Sequence, residues 1–288
     1  MDGRTQLGGT QLGLDALDPA FAAKPLLRIT PARLATWADC PRRYRLTYVD
    51  RPAPSRSGAR AASTLGAVVH LALRSLYDLP VPRRTPDAAA ALVDRHWSGE
   101  GFRDAAQATE YRLRAREWAA EYVAGVGADA TPVALERWVS VPTPRIIAEG
   151  RADRIDERDG ELVVVDYKTG RRPAADDAHR SAALALYALG ARHTLRRPCT
   201  RVELHHVPTG RVVAATHDRA SLQQHLTRFE DAAEQAADAA DALAAGGRAD
   251  SLFPPRAAPR CADCDVRRHC PEGRAAAPER EPWASLEP

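Results

Sequence analysis

The sequence predicts a single α/β domain built on a mixed β-sheet, and three observations carry that expectation. Residues 30–123 show helical apolar spacing. Residues 133–168 switch to strand alternation, with a turn signal between two strands. A helix, two more strands and a long helix then follow. Helices, then strands, then helix and strands again fit one layered α/β core.

Each element has a local reason. Thr30-Pro31 supplies an N-cap and a proline at the first helical position, and Pro41 breaks that helix beside Cys40. Residues 51–63 read as a basic loop. TLGAVVHLALRSLY, from Thr64 to Tyr77, reads as a buried helix. Two further helices are expected between Thr85 and Trp97 and from Ala105 to Val123. The second carries Tyr111, Trp118 and Tyr122, whose spacing points to core packing. VALERWVSVP alternates, and RIIAEGRADRID and ELVVVDYK flank Arg158-Asp159-Gly160, a hairpin signal. SAALALYALGARH reads as a buried helix, and RVELHHVPTGRVVAAT as two strands turning at Pro208-Thr209-Gly210. An alanine-rich helix from Arg219 to Ala245, with a solvated acidic face, closes at Gly246-Gly247. The expected organisation is a flexible leader at 1–25, the domain at 26–272 and a Pro/Ala/Glu tail at 273–288.

Composition narrows the function classes. A net charge of +3 permits a nucleic-acid partner without arguing for one. The N-terminus lacks a signal pattern and no apolar run reaches bilayer length, so a soluble, cytoplasmic protein without a membrane partner is expected. Of the five cysteines, three crowd near the C-terminus, which points to metal binding rather than a disulfide framework.

The most informative stretch is LVVVDYKTG. The chain has 41 Lys plus Arg, and only Lys24 and Lys168 among them are lysine. An arginine-rich coding background explains the arginines, so the lysine at 168 needs its own reason. In a strand, Asp166 and Lys168 share a face while Tyr167 points away. Pairing across the Asp159-Gly160 turn brings Asp153 near Asp166. Two carboxylates placed together repel unless a cation lies between them, and oxygen donors of this kind suit Mg²⁺ or Mn²⁺. A compact ammonium beside such an ion can help deprotonate water and stabilise phosphate charge, whereas arginine stays protonated. Asp-x-Lys alone is a common tripeptide.

The flanking residues make the pattern specific. Gly66-Ala-Val-Val-His70, Gly150-Arg-Ala-Asp153, Asp166-Tyr167-Lys168 and a later helix with Tyr187 occur in that order. From about Thr30 to Cys270 the chain resembles the PD-(D/E)XK nuclease superfamily, in its RecB-like branch. The resemblance implies a restriction-endonuclease-like core. In it His70, Asp153, Asp166 and the Tyr167 carbonyl hold Mg²⁺ or Mn²⁺, and Lys168 acts on the water. It also implies a DNA substrate, most often single-stranded, degraded by an exonuclease in repair or recombination. One departure stands out: Ala183 occupies the place of the glutamine that such chains carry four residues before Tyr187.

Cys261, Cys264 and Cys270 have C-x2-C-x5-C spacing, and Cys40 is a distant fourth thiol. Four thiolates suit an iron–sulfur cluster or a tetrahedral zinc, and spacing alone favours zinc. The resemblance extends to the iron–sulfur nucleases, among them AddB-type helicase–nuclease subunits and CRISPR-associated adaptation exonucleases. It implies a [4Fe–4S] cluster joining the N- and C-terminal segments, with Cys199 left as a small core residue. Arg42 and Arg43 are expected to contact DNA, as is Tyr187, with Trp37 or Tyr44 free to stack on bases. No Walker A pattern is present, so the chain is expected to carry no helicase motor of its own and to work alone or beside a partner that carries one. The competing reading is a catalytically weak nuclease-fold module that holds DNA for such a partner.

Overall fold

The computed structural model describes residues 26–127 and 130–286, so the leader expected at 1–25 lies outside the described residues. Strand β1 (Leu27–Ile29) leads into helix α1 (Pro31–Asp39), whose first turn is closed by Thr30 Oγ1 accepting the Arg33 N–H at 3.3 Å. Cys40 is extended between α1 and α2 (Pro41–Tyr44), which continues as a wider turn to Val49. Helices α3 (Ala61–Tyr77), α4 (Pro86–His96) and α5 (Ala105–Tyr122) follow. Then come β2 (Pro132–Pro142), β3 (Ile146–Arg158), β4 (Glu161–Lys168), α6 (Asp177–Arg180), α7 (Ala182–Leu195), β5 (Cys199–His206), β6 (Arg211–Thr216) and α8 (Arg219–Ala244). Two short helices, α9 (Ala249–Leu252) and α10 (Pro271–Ala276), complete the chain.

The sheet is mixed, as expected. β1 pairs with β3 and β4 with β5 in parallel, while β2–β3, β3–β4 and β5–β6 are antiparallel. The β3–β4 hairpin turns on Asp159 (φ 51°) and Gly160 (φ 83°), both left-handed as a two-residue primed turn requires. Its register, from Arg158↔Glu161 to Arg154↔Val165, is the one that turn predicts.

The ladder stops at Arg154, and this placement makes the site. β1 holds β3 at residues 146–148 and β4 holds it at 154–158, while β2 pairs with both of those stretches from the other side. β1 and β4 therefore share one edge of β3, and residues 149–153 of that edge have no strand beside them. Asp166 to Lys168 run on, paired only to β5.

The strand alternation of β4 separates two layers. Val163, Val165 and Tyr167 pack with α3 to α5, and Leu162 and Val164 pack beneath α7. Tyr111 and Tyr122 are buried, as their spacing predicts. Ile29, Leu34, Leu226 and Phe229 tie α1 and α8 to the end of β3.

Three expectations are corrected. The residues expected as a tail from Gly273 continue as α10 and then return to the body: Ala61 N–H donates to Pro282 O at 3.1 Å, and Tyr111 Oη donates to Leu286 O. The acidic face of α8 is not simply solvated, because Arg145 pairs with Glu230 (3.3 Å), Asp231 (2.9 Å) and Glu234. Tyr44 is 3% exposed, edge-on to Trp37, whose ring also abuts Phe253, so Tyr44 is core rather than a platform for bases.

Under β5 lies a buried acid. Burial alone would raise the Glu203 pKa, but hydrogen bonds from His205, Arg158 and Arg201, each at 2.8 Å, outweigh it and bring it down to about 2. A depressed carboxyl stabilises the fold above its ordinary pKa and loses that contribution as pH falls through the folded value. The free energy of unfolding measured in urea should therefore drop between about pH 4.5 and 2, by up to about 3 kcal/mol from this residue. Glu203→Gln should flatten the drop while lowering stability at neutral pH.

Candidate active site

Two glycines bring the helices in. A Cβ at Gly66 would meet Thr169 Oγ1 at 3.1 Å, so α3 lies close against the end of β4. One turn later His70 reaches the strand, with Nε2 3.2 Å from Tyr167 O and Nδ1 3.4 Å from Asp153 Oδ2. A Cβ at Gly150 would lie 2.4 Å from Tyr187 Cε1, so only glycine lets the α7 tyrosine sit against β3.

Asp153 projects from the unpaired edge of β3. Its Oδ2 accepts the Tyr167 N–H at 2.9 Å, taking the place a ladder carbonyl would have held. Asp166 follows on the α7 side, ion-paired through Oδ2 to Lys168 Nζ. His70, Asp153, Asp166, Tyr167 and Lys168 are thus gathered where β3 and β4 part. Tyr187 stands over them, its hydroxyl pKa raised to about 12 by burial and then by the Asp166 and Asp153 charges.

The sequence reading missed Glu136. Together His70, Glu136 and Asp153 offer ligand atoms that all lie within 4.8 Å of one another, the one such set among the described residues. Asp166 adjoins this set rather than completing it. Glu136 lies on β2 between the pairs Leu135↔Arg154 and Arg137↔Ala152, and its φ of 48° puts a left-handed kink in the strand. Its carboxylate meets Arg151 at 2.8 Å. Nothing in VALERWVSVP marks this residue, since its role depends on register and kink.

The electrostatics favour a cation. Burial raises the Glu136 carboxyl, and the Asp153 charge raises it further. Asp166 is raised by burial and by Asp153, against the pull of Lys168. Burial disfavours the His70 imidazolium, but Asp153, Asp166 and Glu136 outweigh it and raise its pKa. Carboxyls raised by burial and by a neighbouring negative charge are relieved by a divalent ion. Oxygen donors with one imidazole fit Mg²⁺ or Mn²⁺.

Beside this set, a cleft of about 560 Å³ opens between α1, α7 and α8. Asp166, Lys168, Tyr187 and alanines including Ala35 and Ala183 line it, with Arg180 and Arg228 among the polar residues.

The four predicted thiols also converge. Cys40, Cys261, Cys264 and Cys270 line one cavity of about 210 Å³, together with Arg42, Arg43, Arg256, Arg260 and Arg267. Cys40 Sγ accepts Arg256 N–H at 3.4 Å, and Cys270 Sγ accepts Gly273 N–H at 3.3 Å. Burial pushes the Cys264 and Cys270 thiols up, an arrangement that a bound metal would offset by holding thiolates. Cys199 is buried elsewhere, its thiol pushed up to about 12 by burial.

Arg42 and Arg43 are both engaged by carboxylates of the C-terminal segment. Arg42 is buried and paired with Asp250 and Glu272, both at 2.8 Å, and Arg43 pairs with Asp265 at 2.9 Å. These side chains bind the N-terminal helices to the C-terminal segment.

A mixed sheet with helices on both faces, and with carboxylates, an imidazole and a lysine gathered at parting strand ends, is the layout of a phosphodiester-cleaving nuclease. The family model of the PD-(D/E)XK nuclease superfamily matches residues 28–271, and the chain belongs to that superfamily of divalent-metal nucleases. Among solved structures, it is similar to a Eubacterium rectale protein provisionally called an exonuclease. The two share 13% identity and a TM-score of 0.53, over 91% of this chain and 94% of the other. No curated protein matches the chain. Among the described residues, no helix is long and apolar enough to cross a membrane.

Proposed function

We propose that the protein is a divalent-metal-dependent DNA exonuclease of the RecB-like type that degrades single strands in repair or recombination. One observation carries the reading: His70, Glu136 and Asp153 within a single ion's reach, with the Asp166–Lys168 pair adjoining them on the cleft. His70, Asp153 and Glu136 would hold Mg²⁺ or Mn²⁺, with Asp166 and the Tyr167 carbonyl next to it. When bound, the ion would polarise the scissile phosphate and make water a better nucleophile. Lys168, half exposed beside Asp166, presents its ammonium to charge developing on the phosphate. Asp166 fixes where that ammonium lies.

The cleft supports a single-stranded substrate. Apolar lining residues together with Tyr187 suit unpaired bases, and Arg180 and Arg228 suit phosphates. The convergence of four cysteines on one cavity supports the [4Fe–4S] cluster that the family resemblance implies, with a tetrahedral zinc as the alternative. Arginines around the cavity would balance thiolate charge.

A second reading, a DNA-binding module with weak catalysis, is favoured by Ala183, which puts a methyl in the cleft where related chains carry an amide. End-labelled single-stranded and duplex DNA, incubated with Mg²⁺, Mn²⁺ or EDTA, separates the two. The expected result is ion-dependent release from single strands, and the labelled end reveals polarity. Tight binding without cleavage in either ion would replace the first reading with the second.

A further inference from the structure

We infer that Arg154 is a positioning residue for the ion site, acting through the Tyr167 side chain; the inference rests on the metal-dependent reading above. Tyr167 is where the site is joined together. Its N–H donates to Asp153 and its carbonyl lies against His70, so both proposed ligands are referenced to one peptide segment. β3 has already parted from β4 at this point, and only β5 pairs with Tyr167 as backbone. What else holds that segment is the phenol ring, which packs among α3 to α5 with its edge toward the His70 ring.

The ring is held by Arg154, the residue immediately after Asp153. Arg154 is 1% exposed, and its Nη1 donates to Tyr167 Oη at 2.9 Å. The guanidinium also lies over the rings of Tyr77 and Tyr167, at 4.9 and 5.5 Å. The consecutive pair Asp153-Arg154 therefore grips Tyr167 at both ends, the carboxylate taking its amide proton and the guanidinium its hydroxyl.

Charge balance does not need this second grip. Asp156 Oδ1 lies 2.9 Å from Arg154 Nε and supplies the counter-charge. Tyr122 is a second phenol at the same guanidinium, 3.4 Å from Nη1, and it is tied to His205 Nδ1 at 2.7 Å. The two phenols differ at the site: only Tyr167 has a backbone that touches the proposed ligands and a ring set edge-on against His70, with centroids 5.6 Å apart. That difference makes Tyr122 the control. If the buried polar cluster serves stability alone, losing either hydroxyl should have similar consequences. If Arg154 positions the site through Tyr167, only one of them should reach the ion.

Mn²⁺ affinity, read from the paramagnetic resonance of free Mn²⁺, tests this on Tyr167→Phe, Arg154→Lys and Tyr122→Phe of the full chain, with thermal melting beside each. Tyr167→Phe and Arg154→Lys should weaken Mn²⁺ binding on the order of tenfold, as loss of an outer partner does at metal sites. KM for DNA should stay unchanged, and saturating Mn²⁺ should restore kcat. Tyr122→Phe should keep its Mn²⁺ affinity even where its melting temperature falls. Unchanged affinity in both folded Tyr167→Phe and Arg154→Lys overturns the inference while leaving the nuclease reading intact. So does an equal loss in Tyr122→Phe. A wild-type protein that binds no Mn²⁺, and does not differ from Asp153→Asn, overturns the metal-dependent reading and this inference with it.

Discussion

Lys168→Ala and Asp153→Asn should each cut release of nucleotides from labelled single-stranded DNA by on the order of 10²–10⁴-fold, while both proteins remain folded. The two substitutions act on different parts. Asparagine at 153 still offers an oxygen to the Tyr167 N–H, so the junction between β3 and β4 keeps its hydrogen bond while the site loses a charge. That variant should lose Mn²⁺ binding together with activity. Alanine at 168 leaves His70, Glu136 and Asp153 untouched. It should therefore bind Mn²⁺ as the wild type does and fail only in turnover. Lys168→Arg should not restore the rate, because a planar guanidinium distributes its charge differently from a compact ammonium. Activity of Lys168→Ala within a few-fold of wild type would remove the lysine from the chemistry. Parallel losses of activity and Mn²⁺ binding in that variant would make its role structural.

Cys261→Ala should have the largest effect on stability. Protein purified without oxygen should carry iron and inorganic sulfide with the brown colour of a [4Fe–4S] cluster, and the variant should be colourless. The C-terminal segment is otherwise held to α1 and α2 largely by ion pairs, among them Arg43–Asp265 and Arg260–Asp39, and by Phe253 packed near Trp37 and Tyr44. Partly exposed ion pairs contribute little each. A crosslink from Cys40 to the far end of the domain restricts the unfolded chain over a long loop, so its loss should cost about 2–5 kcal/mol. Limited proteolysis should open the segment around 249–286 first. Zinc in place of iron would reject the cluster, and unchanged melting of metal-free Cys261→Ala would reject the crosslink.

Much of this molecule is legible without coordinates. Thr30-Pro31, the Pro41 break, Asp159-Gly160 and Gly210 each encode a local backbone event, and each occurs where its chemistry requires. Strand alternation was enough to separate Tyr167 from Asp166 and Lys168. The order of His70, Asp153, Asp166 and Lys168 could be read because those residue types recur at spacings tied to one family.

Other features emerge only when strands meet. Glu136 enters the site because β2 pairs with β3 in one register and kinks at one residue, and neither event has a marker within its own strand. Arg154 is buried and Arg42 is turned inward, yet in a chain that uses arginine almost everywhere neither looks different from a surface arginine. The convergence of four thiols on one cavity and the return of residues 278–286 to the body likewise depend on distant partners. By itself the sequence determined which elements form, where they turn and which family's residues they carry. Tertiary structure alone decided which charges face one another, because backbone conformation is set by nearest neighbours along the chain while electrostatic contacts are set by register and packing between segments far apart in it.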